Sequence, residues 1–462
     1  MATAAPPHAS AAPDARAQAA AADWPPPSRS WFAVAVLTLG YVVSFVDRTI
    51  LSLLIDPIKA DLGLNDTQIA LLQGLAFGLF YTAMGLPIGW LVDRISRKRV
   101  IGAGVAFWCL STAACGLAGN FWHLFVARMG VGAGEATLSP AAISMIGDTF
   151  PPEKRAFPIS VYSMASSIGA GLALMVGGAV IGAVAASPEV VLPVIGAVAP
   201  WQATFIIVGL AGLVVVMLLA FVTEPVRREV PAPAQAGTGL LAHIRRHPGF
   251  HLRHLGGMAL YCTLIYGVLS WMPAYFMRSF GWSAAEVGLR YGFVVLVFGG
   301  FGLSGAGWLA SHLAQRGVEA ASLKVTGWSI LLVTPFLVAA CLAPSGWIAL
   351  AILVPGLIFF TASGGIAVAA LCEAAPGTLR GRVAALYFFT LGIVGLTIGP
   401  VSIALITEYV FRDPQAVGPA IAVAAAVLGP AAGLLVLLSV GPFRHAVAAM
   451  IATTRHPQEQ HI

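Results

Sequence analysis

Hydrophobic residues in this chain form long, nearly uninterrupted runs separated by short polar stretches. A bilayer core about 30 Å thick is crossed by roughly 20 apolar residues in a helix, and twelve runs are long enough. The pattern therefore predicts an all-α membrane protein with twelve transmembrane helices. They are expected at 31–55, 67–92, 98–118, 122–147, 157–184, 201–222, 255–277, 286–312, 322–343, 346–372, 382–406 and 418–441.

Polar segments divide the chain. The longest polar stretch between two runs contains Pro225, Pro231 and Pro233, which is typical of a linker. The Ala- and Pro-rich N-terminal stretch lacks the pattern of a secretory signal and is expected to be a disordered tail. The segment at 185–200 is too short and too rich in proline to span the membrane. It is expected to be an external loop or half-hairpin. The predicted division is a cytoplasmic tail at 1–28, a six-helix bundle at 29–222, a cytoplasmic linker at 223–254, a second bundle at 255–443 and a cytoplasmic tail at 444–462.

The basic residues indicate the orientation of the helices. With the N-terminus inside, most of the 25 Lys and Arg residues fall in the tails and even-numbered loops, and the outside loops hold Lys59, Arg278, Arg290 and Arg412. Lys and Arg concentrate in cytoplasmic loops. Both termini are therefore expected in the cytoplasm and the protein in the plasma (inner) membrane.

Composition supports a membrane protein and argues against other classes. Charged residues make up 10% and hydrophobic residues 58%, with a mean hydropathy of +0.88, whereas soluble domains carry about 25% charged residues. The net charge of +6 does not predict nucleic-acid binding, because the basic residues lie between apolar runs. The Cys and His residues show no metal-ligand spacing and no nucleophile–base arrangement, so neither a metal site nor an enzyme is expected.

The two halves of the chain resemble each other. Duplicated six-helix halves with a substrate site between them are a transporter design, so we expect two pseudo-symmetric bundles. Identical residues recur at a spacing of 218: Gly63 with Gly281, Gly74 with Gly292, and Gly-Trp-Leu at 89–91 with 307–309.

Four ionisable residues lie inside predicted helices of the first half: Asp47, Arg48, Arg128 and Glu135. A charge near the bilayer centre costs at least about 2.5–3.5 kcal/mol, so each is a functional candidate. Asp47 and Arg128 are expected at similar depth and could form a pair, whose simpler role would be to fix helix register. Glu135 shares a helix face with Arg128 and Ser139 but has no cation at its own depth. A mid-membrane carboxyl can carry a proton, which makes Glu135 the first candidate for proton coupling and Asp47 the second.

The loop after the second predicted helix reads Gly-Trp-Leu-Val-Asp-Arg-Ile-Ser-Arg-Lys-Arg at 89–99. It resembles motif A of the major facilitator superfamily, although a positive-inside loop is the simpler alternative. The glycine would permit close helix contact, and by family analogy the charges join an acidic residue in the fourth helix to hold the outward-open state. The expected clamp consists of Gly89, Asp93, Arg94, Arg97 and Asp148.

Further segments resemble the spinster branch of that superfamily: Val-Asp-Arg at 46–48, 128–136 in the fourth helix and 395–400 in the eleventh. The resemblance covers nearly the whole chain after residue 30. It implies two bundles that rock around a central cavity, a monomer, a lysophospholipid or sphingoid phosphate as substrate, and no cofactor beyond a proton gradient.

The second half has no clear mid-span charge but offers aromatic and hydroxyl groups in its first helix. A cavity charged on one side and aromatic on the other suits an amphiphile with an acidic head. We expect a proton-coupled transporter whose partners are a lipid-like or anionic small molecule and membrane lipids. The alternatives are a carrier of soluble organic anions, with Arg128 as the anion contact, and a receptor that does not transport. The candidate cavity residues are Asp47, Arg48, Arg128, Glu135, Ser139, Tyr261, Tyr266 and Trp271.

Overall fold

The computed structural model describes residues 24–185, 190–192, 196–227, 239–377 and 379–455. Parts of the expected tails and linker lie outside the described residues, namely 1–23, 228–238 and 456–462.

Helices of the first half follow the apolar runs, because a helix satisfies its own backbone hydrogen bonds in lipid. Proline at Pro27 and Pro200 begins two of them, where its missing N–H costs nothing. The helices are α1 Pro27–Leu53, α2 Ile55–Leu62, α3 Asp66–Gln73, a π-helix at Leu75–Leu79, α4 Phe80–Val92, α5 Arg97–Cys115, α6 Phe121–Glu135, α7 Leu138–Thr149, a 3-10 turn at Pro152–Lys154, α8 Ala156–Val184 and α9 Pro200–Ala220.

The second half repeats this arrangement after a short helix in the linker. Its helices are α10 Leu240–Arg246, α11 Pro248–Phe280, α12 Ala284–Gln315, α13 Ala321–Cys341, α14 Gly346–Thr361, α15 Ser363–Glu373, α16 Arg380–Leu391, a π-helix at Gly392–Leu396, α17 Thr397–Leu405, a π-helix at Ile406–Phe411, α18 Val417–Leu438 and α19 Val440–Arg455.

Ten helical segments in the described part of the chain are long and apolar enough to cross a membrane. Two more crossings are made by α5 and by the pair α6 and α7, which is interrupted directly after Glu135. Together these make the twelve crossings that the sequence predicts. The fourth crossing differs from its expected continuous helix, and the interruption falls beside a candidate charge.

Short elements of regular structure lie between and after the predicted membrane-spanning helices. The segment at 185–200 contains an antiparallel pair of strands, β1 Val190–Leu192 and β2 Gly196–Val198. The expected linker contains α10 and the first turns of α11, and the expected tail contains most of α19.

The two halves contact each other closely near one end of the molecule. A Cβ on Gly171 of α8 would lie 2.5 Å from the backbone nitrogen of Leu296 in α12, and one on Gly178 would lie 2.8 Å from the carbonyl of Ala284. Glycine therefore permits these helices to touch. We call this end, where α1 finishes, the outer face, and the end where α1 begins and α18 finishes the tail face.

Two π-helices, one from each half, meet in the same region. A Cβ on Gly74 would lie 2.7 Å from the carbonyl of Thr397, and one on Gly78 would lie 2.7 Å from Cβ of Leu396. Short π-helices within α-helices frequently mark functional positions. These two bring the halves together beside the central cavity.

Candidate functional site

A cavity of about 500 Å³ lies between the two halves. Of the candidate residues, Arg48, Arg128, Tyr261 and Tyr266 line it. The wall residues that the second half contributes in the described ranges carry no charge. Aromatic rings form much of the wall, including Tyr41, Phe45, Phe77 and Tyr81 from the first half and Tyr261, Tyr266, Tyr291 and Tyr387 from the second.

Arg48 and Glu135 form an ion pair beside the cavity. Nε of Arg48 donates to Oε2 of Glu135 at 2.6 Å, and the Glu135 side chain is fully buried. The guanidinium carbon lies 4.6 Å from the ring centre of Tyr81 and 5.0 Å from that of Phe77, in the range of cation–π contacts. The expectation that Glu135 has no cation at its depth is therefore wrong.

Asp47 is completely buried behind the cavity wall. Neither carboxyl oxygen has a hydrogen-bond partner among the described residues. Trp108 and Thr112 lie beside it, but their indole N–H and hydroxyl do not form hydrogen bonds of suitable geometry with the carboxyl oxygens. Asp47 is thus a buried acid with no bonded partner.

Arg128 lines the cavity and is 1% exposed. Its Nη1 donates to the backbone carbonyl of Asp47 at 3.2 Å, and its Nε lies 3.5 Å from the carbonyl of Leu72. The expected pair between the Asp47 and Arg128 side chains is not formed. Arg128 has no ion-pair partner in the part of the chain that the structure describes.

Four predicted cavity residues do not line the cavity: Asp47, Glu135, Ser139 and Trp271. The Ser139 hydroxyl lies 3.1 Å from that of Tyr162, whose ring stacks on Tyr41. The indole N–H of Trp271 donates to the carbonyl of Pro400 at 2.9 Å, which joins α11 to α17. Ser139 supports the wall from behind, and Trp271 joins two helices of the second half.

Gln73, which the sequence reasoning missed, is a polar wall residue at the end of α3. It is 9% exposed, lines the cavity, and neither end of its carboxamide has a hydrogen-bond partner. The sequence feature that points to Gln73 is a glutamine within the apolar run at 67–92.

Ion pairs and hydrogen bonds join the two halves at the outer face. Arg278 at the end of α11 donates to Asp56 at 2.7 Å and to Asp66 at 2.9 Å. Glu408 accepts from the backbone N–H and the hydroxyl of Thr67 at 3.0 and 2.6 Å. These contacts bond the two halves to each other at the outer face.

The motif A segment lies at the tail face. Arg97 is buried and bonds the Asp148 carboxylate, its Nε lies 3.5 Å from Glu224, and its backbone N–H donates to Glu224 at 2.7 Å. Burial opposes ionisation of Glu224, but hydrogen bonds from Ser96 and from the Arg97 backbone outweigh this effect and lower its pKa.

The expected clamp requires correction. Asp93 is exposed, and Arg94 stacks on Trp90 with its guanidinium carbon 3.7 Å from the ring centre. A Cβ on Gly89 would meet nothing within 4 Å. The bond between Arg97 and Asp148 joins two helices of the first half, and its role in an outward-open state stays a prediction.

Comparison with known proteins identifies the family to which the chain belongs. Residues 37–400 match the family described as Major Facilitator Superfamily. An MFS-type efflux pump of Mycolicibacterium smegmatis is 32% identical over 308 residues, which are 66% of this chain and 68% of that protein. A probable L-galactonate transporter of Escherichia coli is 28% identical over 303 residues, 62% of each chain. The chain thus spans about two thirds of the length of these relatives.

Among solved structures, a bacterial homolog of the human lysosomal transporter spinster, in an inward-facing and unoccupied conformation, superposes with a TM-score of 0.73. Its sequence is 26% identical, and the match covers 93% of this chain and 99% of that one. The expected fold and the expected likeness to the spinster branch are both confirmed.

Proposed function

The chain belongs to the Major Facilitator Superfamily as a spinster-like transporter, and from this premise we propose that it couples proton movement to transport of an anionic amphiphile. The observation that carries the proposal is a cavity between the halves that contains a buried arginine without an ionic partner. An isolated buried charge is costly. A substrate that supplies the negative charge offsets this cost.

The cavity wall favours a substrate with one acidic end and one apolar end. Arg128 gives the first half of the wall a free positive charge, while the second half contributes rings and apolar side chains such as Tyr261, Tyr266 and Leu269. An acidic headgroup binds at Arg128, and the apolar part lies along the rings. Because the cavity is built by one chain, a monomer suffices.

The two buried carboxyls have different roles. An ionised carboxylate without a hydrogen bond is unfavourable in a dry interior, so Asp47 carries a proton in this conformation. Glu135 is ionised against Arg48. Movement of Arg48 away from Glu135, towards substrate in the cavity, leaves Glu135 able to accept a second proton and so links proton uptake to the transport cycle.

Alternating access follows from the closure of one face. The halves are bonded at the outer face through Arg278 and Glu408, so substrate exchanges at the tail face in this conformation. The bias of Lys and Arg towards the tail face makes it the cytoplasmic side. Breaking the outer contacts while the halves rock exposes the cavity on the other side.

Uptake into proteoliposomes under an imposed pH gradient tests the function. We expect the gradient to drive transport of a sphingoid phosphate or a lysophospholipid. Glu135→Gln should lower that uptake at least tenfold while substrate still binds, because the glutamine cannot carry a proton. Glu319→Gln, at an exposed carboxyl that pairs with Arg444, is the matched control.

Each alternative has its own outcome. Gradient-driven uptake of organic acids but not of lipids would identify a soluble-anion carrier, and the similarity to a probable L-galactonate transporter favours including galactonate. Binding without counterflow would identify a receptor. Uptake that ignores both the pH gradient and Glu135→Gln would contradict proton coupling.

A further inference from the structure

Gln73 is a polar residue whose hydrogen-bonding capacity is unused. Its side chain lines the central cavity, 9% of its surface is exposed, and both Oε1 and Nε2 lack partners. Buried polar groups in proteins are nearly always hydrogen-bonded, so an exception needs an explanation.

The backbone holds Gln73 in place. It is the last residue of α3, and a Cβ on the following Gly74 would lie 2.7 Å from the carbonyl of Thr397 and 2.9 Å from that of Leu396, both in the other half. A π-helix begins at Leu75. The position is therefore fixed by contacts between the halves rather than by contacts of the Gln73 side chain.

Arg128 lies directly beside this position. Its Nε lies 3.5 Å from the carbonyl of Leu72, the residue that precedes Gln73, and both side chains line the same cavity. The hydroxyl of Ser52, which lines the same cavity, donates to the carbonyl of Thr49 at 2.6 Å. The wall thus holds a cation without an ionic partner next to a carboxamide without a hydrogen bond.

We propose that Gln73 and Arg128 form one headgroup subsite for an acidic group that carries a hydroxyl or ammonium group beside it. Arg128 binds the acid oxygens, and Oε1 of Gln73 accepts from the neighbouring donor while Nε2 donates to an acid oxygen or the hydroxyl oxygen. This inference rests on the proposed function, because it concerns the same anion site. It makes Gln73 a specificity-determining residue.

Two classes of compound carry an acidic group with a hydrogen-bond donor beside it. A sphingoid phosphate carries ammonium and hydroxyl groups near its phosphate, and a sugar acid such as galactonate carries a hydroxyl beside its carboxylate. Each has an analogue that lacks the neighbouring donor: octadecyl phosphate for sphinganine 1-phosphate, and 2-deoxygalactonate for galactonate. The two matched pairs separate a lipid headgroup from a soluble acid.

The test measures dissociation constants of both pairs for the full-length purified protein. We expect the wild type to bind the donor-bearing member of one pair at least about tenfold more tightly than its analogue. Gln73→Met, which keeps the length and removes the hydrogen bonds, should lower this ratio to below about threefold and leave the affinity for the analogue unchanged. Gln73→Asn should retain part of the ratio.

Controls separate this inference from the proposed function. Gln415→Met makes the same change at an exposed loop position and should leave every affinity unchanged. An equal loss for both members of a pair in Gln73→Met and Gln73→Asn, or an unchanged ratio in both variants, would overturn the role of Gln73 while anion binding stands. Absence of binding by all four compounds to the wild type would overturn the proposed function itself, and the subsite with it.

Discussion

The outer and tail faces use ion pairs in different ways. At the outer face, Arg278 of the second half bonds Asp56 and Asp66 of the first. At the tail face, Arg97 bonds Asp148 of the first half and Glu224, which lies just after α9 at the start of the linker. Only the first set joins the two halves.

This difference separates the contacts that must break during transport from those that need not. When two rigid halves rock about a central site, bonds between them form on one side at a time, whereas bonds inside a half can persist. The outer network is therefore expected to set the conformational equilibrium, and the Arg97 network to maintain the first half.

The largest effect is expected from Arg278→Gln. Asp66 is 4% exposed. Removal of one partner from a buried ion pair costs about 3–5 kcal/mol. We expect about 3 kcal/mol here, at the lower limit of this range, because Lys59 still pairs with Asp66. The outer face should open, and a cysteine placed at Thr49 in the cavity should react at least tenfold faster with an impermeant maleimide added on that side.

The control for this prediction is Arg290→Gln. Arg290 pairs with Glu286 of the same helix, four residues away, so its loss should not change the labelling rate. Cys262→Ser combined with Cys372→Ser provides the background, because Cys262 lines the cavity and Cys372 is half-buried, whereas the other three cysteines are buried. Equal labelling rates in Arg278→Gln and wild type would refute the role of the outer network.

A smaller effect of a different kind is expected from Arg97→Gln. It replaces the charged partner of the buried Asp148 by a neutral amide and should destabilise the protein by about 2 kcal/mol, the contribution of a hydrogen bond to a charged group, seen as a melting temperature lowered by several degrees. Labelling at Thr49 from the outer side should stay at the wild-type rate. Faster labelling would break the distinction between the faces, and Arg99→Gln, at an exposed neighbour, is the control.

Glu408→Gln should shift the outer equilibrium only modestly. One oxygen of Glu408 accepts both bonds from Thr67, and the amide retains an acceptor, so the expected loss is about 1 kcal/mol. Labelling at Thr49 should rise roughly fivefold. Thr67→Val combined with Glu408→Gln should add less than the sum of the two single effects, and strict additivity would argue against this contact.

The smallest effect concerns Glu224 and pH. Its pKa is lowered in the folded protein by hydrogen bonds that outweigh burial, so its contribution is present above the unfolded pKa and is lost as pH falls through the folded pKa. Glu224→Gln should remove a fraction of a kcal/mol from the stability difference between pH 6 and pH 4. An unchanged pH profile in melting experiments would show that this bond contributes nothing.

The fold could be predicted from the sequence because the bilayer allows few structures for an apolar segment. An apolar run of the right length must form a helix, and the runs of this chain accordingly become its spans. The charges within spans were also informative, since Asp47, Arg128 and Glu135 are all buried at the centre of the first half.

The partners of those charges could not be predicted in the same way. Helix rise gives the depth of a residue but not the reach of a long side chain, so it does not predict the pair of Arg48 with Glu135. Depth favours the Asp47 carboxyl as the partner of Arg128, but Arg128 bonds the backbone carbonyl of that residue. The outer pair of Asp56 and Arg278 spans 222 positions in sequence, and only the packing of the halves brings it together.

The central claim, that the halves rock about the cavity and are closed by the outer network, is tested most directly by spin-label distances. Labels at the exposed Ala60 and Leu342 would report the separation of the halves at the outer face in proteoliposomes. We expect one short distance in the resting protein and a second, longer population when substrate and a pH gradient are added, with the longer one dominant in Arg278→Gln. A single distance that neither substrate nor Arg278→Gln changes would contradict the account.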